Sequence, residues 1–350
     1  MSKLGLLFAT TLLLALPAAA QPALTLPEES QRATVSQRIG ITDLTVSYHR
    51  PLKKGRPLWG KLVPYGQVWR AGANENTTFT TTHPVQVEGK ALPQGTYGLH
   101  MIPGEKEWTV IFSKMFTAWG SYTYSEAEDA LRVKVAPRAA EAHEALTFTF
   151  DNPTAENVLL TLSWDKLSVA VKVAVNVDET SVASIHDQMR GGAQWNWQAW
   201  DEAATFLLDH KLNPAEALAD CDRSIEVEER FENTMTKVRA LEALGRKDEA
   251  MAMRAKAMGV GNPEQLHTYG RTLLAQGKTD LALDVFRANM KKAPAHWLAH
   301  NDAARIACAQ GDFAGAANEM KLALAAAPPA SKQAVEGLIK KLESKEDINK

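Results

Sequence analysis

From Ala33 to Val177 the apolar positions recur with a period of two. Leu44, Val46 and Tyr48 alternate with Thr45, Ser47 and His49, and similar alternation or β-branched and aromatic enrichment marks 77–82, 96–102, 108–112, 131–135, 146–150, 158–164 and 167–175. Gly89-Lys90, Pro93-Gln94-Gly95, Pro103-Gly104-Glu105 and Asp151-Asn152-Pro153 supply turn residues between these runs. Strands that follow one another without helical interludes cannot form a parallel sheet with crossovers. The pattern predicts an antiparallel β-sandwich or barrel over 30–177. Asp165-Lys166, between two apolar runs, reads as a final tight hairpin.

After Asn176 alanine becomes frequent and the period turns helical to the end. Residues 178–194 read as a linker or short helix, broken by Gly191-Gly192. Beyond it Gly245, Gly277 and Gly311, spaced by 32 and 34 residues, are each followed five positions later by alanine: Ala250, Ala282 and Ala316. A fixed period of this size predicts stacked helical hairpins, an α-helical solenoid over 195–345.

That arithmetic resembles the tetratricopeptide repeat. Its best unit starts at Pro263, with Gly270, Leu273, Gly277, Ala282, Phe286 and Pro294 at signature positions; the next starts at Trp297, with Ala304, Gly311, Ala316, Ala323 and Pro328. A poorer unit starts at Phe231, and a poorer one still spans 198–230. A fifth would place Lys345 where glycine closes the turn, so the stretch to Glu343 reads as a capping helix. In the β half, the run from Arg50-Pro51 through Trp59-Gly60 to Trp69-Arg70-Ala71-Gly72-Ala73-Asn74-Glu75-Asn76 resembles the secreted bacterial family called domain of unknown function 2911. So do Ser36-Gln37-Arg38-Ile39-Gly40, Gly95-Thr96-Tyr97-Gly98-Leu99 and Glu107-Trp108-Thr109-Val110. The resemblance covers most of 30–176 and implies no activity.

Residues 1–20 read as a secretory signal peptide: Lys3, an apolar run from Leu4 to Leu16, then Pro17 and Ala18-Ala19-Ala20 as a cleavage site. The run is shorter than the ~20 residues a span needs, so no integral anchor is expected, and the protein is expected in the periplasm or outside the cell. Thirty-nine basic residues against 41 acidic ones argue against a general affinity for nucleic acid. Export permits a disulfide between the two cysteines, Cys221 and Cys308, but the repeat register places them in non-adjacent units, where they stay reduced.

The candidate ligand site lies in the 50–76 motif, where polar groups crowd between glycines: Arg56, Tyr65, Arg70, Asn74, Glu75 and Asn76. The structural alternative is a loop braced by these side chains, with Arg70 paired to Glu75. Arg50, Lys53, Lys54 and Arg56 have the charge to hold a phosphate, sulfate or acidic glycan, or to solvate a loop. No catalytic motif is present, no cofactor is implied, and no metal site is expected from histidines that lie in separate strands and turns. In the helical half the ninth residue of three units is Arg239, Arg271 and Arg305, with His267 and Asn301 one turn earlier in theirs. The family's ninth position faces the concave surface, so the resemblance implies a groove of guanidinium groups for an acidic or carboxylate-terminated peptide. The alternative pairs Arg239 with Glu242 and Arg305 with Asp302 along their own helices. These features describe an exported binding protein whose repeats engage another polypeptide. The rival is an exported hydrolase or carbohydrate-processing domain with its site in the 50–76 motif and the repeats as a docking platform.

Overall fold

The computed structural model describes residues 27–350, so the signal-peptide reading lies outside the described residues. The chain divides into two compact units, one ending at Val177 and one beginning at Asp178.

Among the described residues the first unit holds ten strands: β1 (Gln31–Ile39), β2 (Thr42–Arg50), β3 (Thr78–Thr81), β4 (Val85–Val87), β5 (Lys90–Leu92), β6 (Gly95–Ile102), β7 (Trp108–Ser113), β8 (Asp129–Val135), β9 (Arg138–Asp151) and β10 (Asn157–Ala174). They form a six-stranded sheet, β1-β2-β3-β6-β7-β8, and a four-stranded sheet, β5-β4-β10-β9. Every pairing is antiparallel. Neither sheet closes on itself. Inward-facing residues of both sheets, among them Leu44, Val46, Phe79, Leu99, Leu146, Leu162 and Val171, bury one common core, so the sandwich is realised and the barrel is not. Trp59, Trp69, Trp108 and Trp164 join that core as an aromatic group with ring centroids 5.0–6.1 Å apart.

One expectation is corrected. Asp165-Lys166 is not a hairpin: β10 runs straight through it and pairs with β9 on both sides. Asp165 adopts φ +53 at a bulge where the register shifts, and its carboxylate receives Lys53 Nζ at 2.7 Å.

The second unit is helical: α1 (Val177–Met189), α2 (Trp197–Asp209), α3 (Pro214–Val227), α4 (Phe231–Ala243), α5 (Lys247–Val260), α6 (Pro263–Ala275), α7 (Thr279–Lys292), α8 (Trp297–Ala309), α9 (Phe313–Ala326) and α10 (Pro329–Glu343). From α2 to α9 the helices form four hairpins. Gly245, Gly277 and Gly311 take φ of +73, +73 and +82 at the turns, the left-handed conformation that ends a helix at least cost in glycine. In the first hairpin Lys211 fills that place at φ +54, and after α10 Lys345 does so at φ +59. A Cβ on Gly270 would stand 2.3 Å from Phe286 Cε1, so glycine is what lets α6 and α7 close. Cys221 on α3 and Cys308 on α8 are both buried and free.

Candidate functional site

On β2 the core-facing positions are Thr42, Leu44, Val46 and Tyr48. His49 follows with the opposite parity and should face outward, yet it is 7% exposed. The cover comes from the loop between Ala71 and Thr77. Ala71 and Asn74 take φ of +49 and +56, and Thr77 Oγ1 donates to the Ala71 carbonyl at 3.1 Å, closing the loop on itself. Gly72 lies directly on β2: a Cβ there would be 3.2 Å from the His49 carbonyl oxygen and 2.7 Å from Thr77 Oγ1.

This loop and the segment before β1 bring two carboxylates to His49. Glu28 Oε2 lies 3.0 Å from Nε2, and Glu75 Oε2 lies 3.3 Å from Nδ1. Asn74 Nδ2 donates to Glu28 Oε2 at 2.7 Å. The three side chains and Asn76 border a cleft of about 360 Å³ together with Arg32 and Tyr48. Asn76 is 7% exposed; its Nδ2 donates to the Met115 carbonyl at 3.4 Å, while Oδ1 has no hydrogen-bond partner among the described residues.

Behind Asn76 stands His100 on β6. A Cβ on Gly98 would be 3.2 Å from both Asn76 Nδ2 and His100 Nε2, and 2.5 Å from the Met115 carbonyl. Glycine here therefore admits the segment after β7 to the sheet. His100 Nδ1 and Ser121 Oγ are 2.9 Å apart, and burial pulls the imidazole down to about 4, so the ring is neutral at pH 7. Sequence spacing marked neither His49 nor His100. Their partners come from positions far along the chain, and the local signal was only the glycines around them.

The six motif residues do not share one pocket. Arg56 and Arg70 border a second cleft, of about 340 Å³, backed by Trp69 and Trp164, with Glu29 and Lys54 on its rim. Tyr65 is exposed and packs its ring over Gly60. Arg70 does not pair with Glu75, which faces His49 instead; its guanidinium sits 5.7 Å from the centre of the exposed Trp119 ring, and Nε has no hydrogen-bond partner among the described residues. The basic cluster is largely occupied. Arg50 donates to the Leu146 carbonyl and Thr147 Oγ1 at 3.1 and 2.8 Å, Arg56 donates to the carbonyls of Leu52 and Lys53 at 2.5 and 3.0 Å, and Lys54 pairs with Glu29.

In the helical unit the five groove residues differ sharply. Arg239 is half-exposed and pairs with Asp209 on α2, not with Glu242 on its own helix. Arg271 is exposed. His267 is buried, its Nδ1 2.5 Å from Asp302 Oδ1, and Asn289 Nδ2 donates to the other oxygen of Asp302 at 2.7 Å. Asn301 and Arg305 are buried beneath the segment that follows α10. Arg305 Nε donates to Asn301 Oδ1 at 3.1 Å and Nη1 to the Ile348 carbonyl at 2.8 Å, and Asn349 Nδ2 returns a bond to the Arg305 carbonyl at 2.9 Å. Burial, and then the charge of Arg271, bring Arg305 down to about 10. A larger cleft, about 700 Å³, is lined by Leu208, Met235, Arg239, Tyr269, Gln276 and Leu281 along α2, α4, α6 and the start of α7.

Residues 30–173 match the family described as "Protein of unknown function (DUF2911)". No curated protein matches the chain. Solved structures similar to its helical part include two crystal structures. One is the crystal structure of YrrB, titled a TPR protein with an unusual peptide-binding site: 18% identical, covering 47% of this chain and 84% of that one, with a TM-score of 0.28. The other is the crystal structure of MamA, 14% identical, covering 45% and 91%, with a TM-score of 0.30.

Proposed function

We propose that the protein is an exported interaction protein whose helical repeats hold an acidic segment of another polypeptide. Arg239 and Arg271, on the first helices of consecutive repeats, supply the cations. The observation that carries this reading is the seat of the chain's own segment 346–349. There Arg305 holds a main-chain carbonyl at 2.8 Å, and the side chain of Ile348 is buried among Ala304, Cys308 and Val335. Side chains of the fourth repeat's first helix therefore already grip polypeptide outside regular structure, in a form that reads main chain plus one aliphatic anchor. One repeat earlier Arg271 is exposed and close enough to Arg305 to depress its pKa. The pair of Arg239 with Asp209 is half-exposed, and such pairs are worth at most about 1 kcal/mol. An incoming carboxylate can replace it, and the adjoining cleft with Met235, Tyr269 and Leu281 gives the peptide apolar footing. The signal-like segment 1–20 supports export, and the β unit is carried along as a ligand-binding or structural module.

The test is fluorescence anisotropy with labelled acidic and basic dodecapeptides, alongside fractionation of cells expressing the chain with and without residues 1–20. Acidic peptides should bind, and Arg271→Glu should weaken them at least tenfold with helical content unchanged. Equal binding by the wild type and Arg271→Glu would overturn the groove assignment, and retention in the cytoplasm would overturn export.

A further inference from the structure

We propose that His49 Nδ1 and Glu75 ligate a divalent transition-metal ion on the β unit, with Asn76 Oδ1 as an additional neutral donor and Glu28 as the partner of the second imidazole nitrogen. Glu28, His49 and Glu75 present polar atoms that all lie within 4.8 Å of one another; among the described residues no other group of three His, Cys, Asp or Glu does so. His49 Nδ1 and Glu75 Oε2 are 3.3 Å apart. Two ligands bonded to one tetrahedral ion at about 2.0–2.2 Å stand about 3.4 Å apart, so this pair has the spacing of a shared ion. Glu28 Oε2, 3.0 Å from the other ring nitrogen, is placed to take its proton and fix the tautomer, as a metal-bound imidazole needs.

The donor set selects the class of ion. An imidazole beside carboxylate and amide oxygens suits zinc and its neighbours, whereas calcium and magnesium favour shells built of oxygen alone. A neutral imidazole with two carboxylates carries two negative charges, which a divalent ion cancels. Arg32 also borders the cleft, with its Nε turned to Ser47 Oγ at 3.3 Å.

A second, separate observation points to a ligand. Asn76 is nine-tenths buried and lines this same cleft, yet its Oδ1 has no partner among the described residues. A buried amide oxygen left unmatched is penalised, and a cation in the cleft supplies the missing partner. The frame is also rigid where it must be. His49 sits on β2 opposite Arg32 of β1, and Asn74 holds Glu28 at 2.7 Å.

The experiment is calorimetric titration of the full chain, stripped with chelator, against zinc chloride, repeated for His49→Ala, Glu75→Gln and Asn76→Ala. One zinc per chain is expected. His49→Ala and Glu75→Gln should each weaken binding at least tenfold, Asn76→Ala less, and millimolar calcium or magnesium should not displace the ion. The Glu75 side chain is 56% exposed, so Glu75→Gln keeps the fold and its far-ultraviolet circular dichroism serves as the control. The proposal is overturned by an absence of saturable zinc binding, by wild-type affinity in either His49→Ala or Glu75→Gln, or by displacement with equimolar calcium.

Discussion

Arg305 Nη1 donates to the main-chain carbonyl of Ile348 at 2.8 Å, so a buried guanidinium of the fourth repeat is satisfied by a segment lying beyond the last helix. The segment is held by more than this bond. Cys308 Sγ lies 3.3 Å from Asp347 Oδ1, and Ile348 is 5% exposed within the cluster of α8, α9 and α10. Ile348→Ala removes a branched side chain from that cluster and should lower stability by about 2 kcal/mol. Urea denaturation followed by circular dichroism reads the change; an unshifted midpoint would mean that the segment is not held in solution.

The neutral His100 makes the β unit sensitive to acid. Its folded value of about 4 lies below the ordinary 6.5, so between those limits the unfolded chain binds a proton that the fold refuses. Stability fully present above pH 6.5 is lost as pH falls toward 4, by roughly 3 kcal/mol in total. Unfolding midpoints at pH 7.5 and 4.5 should therefore drop further in the wild type than in His100→Gln. Equal drops would show that the ring is protonated in the fold.

Asp220 has the opposite sign. Burial, and then Glu216 beside it, push its carboxyl up to about 6, above the ordinary carboxylate value. The stability this group contributes is present at low pH and lost as pH rises through 6, which leaves a strained charge at pH 7.5. Asp220→Asn should then gain on the order of 1 kcal/mol at pH 7.5, solvent screening allowed for, and nothing at pH 4. Denaturation of both proteins at the two pH values decides it.

Two glycines on helices predict opposite outcomes. Gly270→Ala drives a methyl group into Phe286, at 2.3 Å before relaxation, and should cost about 1–3 kcal/mol. Gly337→Ala, on α10 with nothing within 4 Å of the added carbon, should gain about 0.5–1 kcal/mol. Thermal melts of the two variants would contradict this packing if they moved in the same direction.

The repeats were legible because a glycine, a small residue and a helical period recur at fixed spacing, and the turns at Gly245, Gly277 and Gly311 obey it. The sandwich was legible from alternation, though β1 and the short β4–β5 pair were not marked by it. Asp165-Lys166 misled because a bulge and a hairpin both require a residue at positive φ, and only strand pairing tells them apart. The cluster on His49 was not legible, since it joins positions 28, 49 and 75 through a loop fold that no local period reports. Position counting placed Arg305 on the groove but could not foresee its cover, which comes from residues more than forty positions later.

Lys345 turns the chain through the same left-handed corner as the repeat glycines, at φ +59. Beyond that corner residues 346–349 return across α8 without forming a helix of their own. Lengthening the stack would thus require no new joint: a helix-forming sequence spliced in after residue 345 inherits a corner already bent the right way. The same feature sets the toll for extension, since Arg305 would lose the carbonyl that now shields it and would have to find a replacement in the added helix.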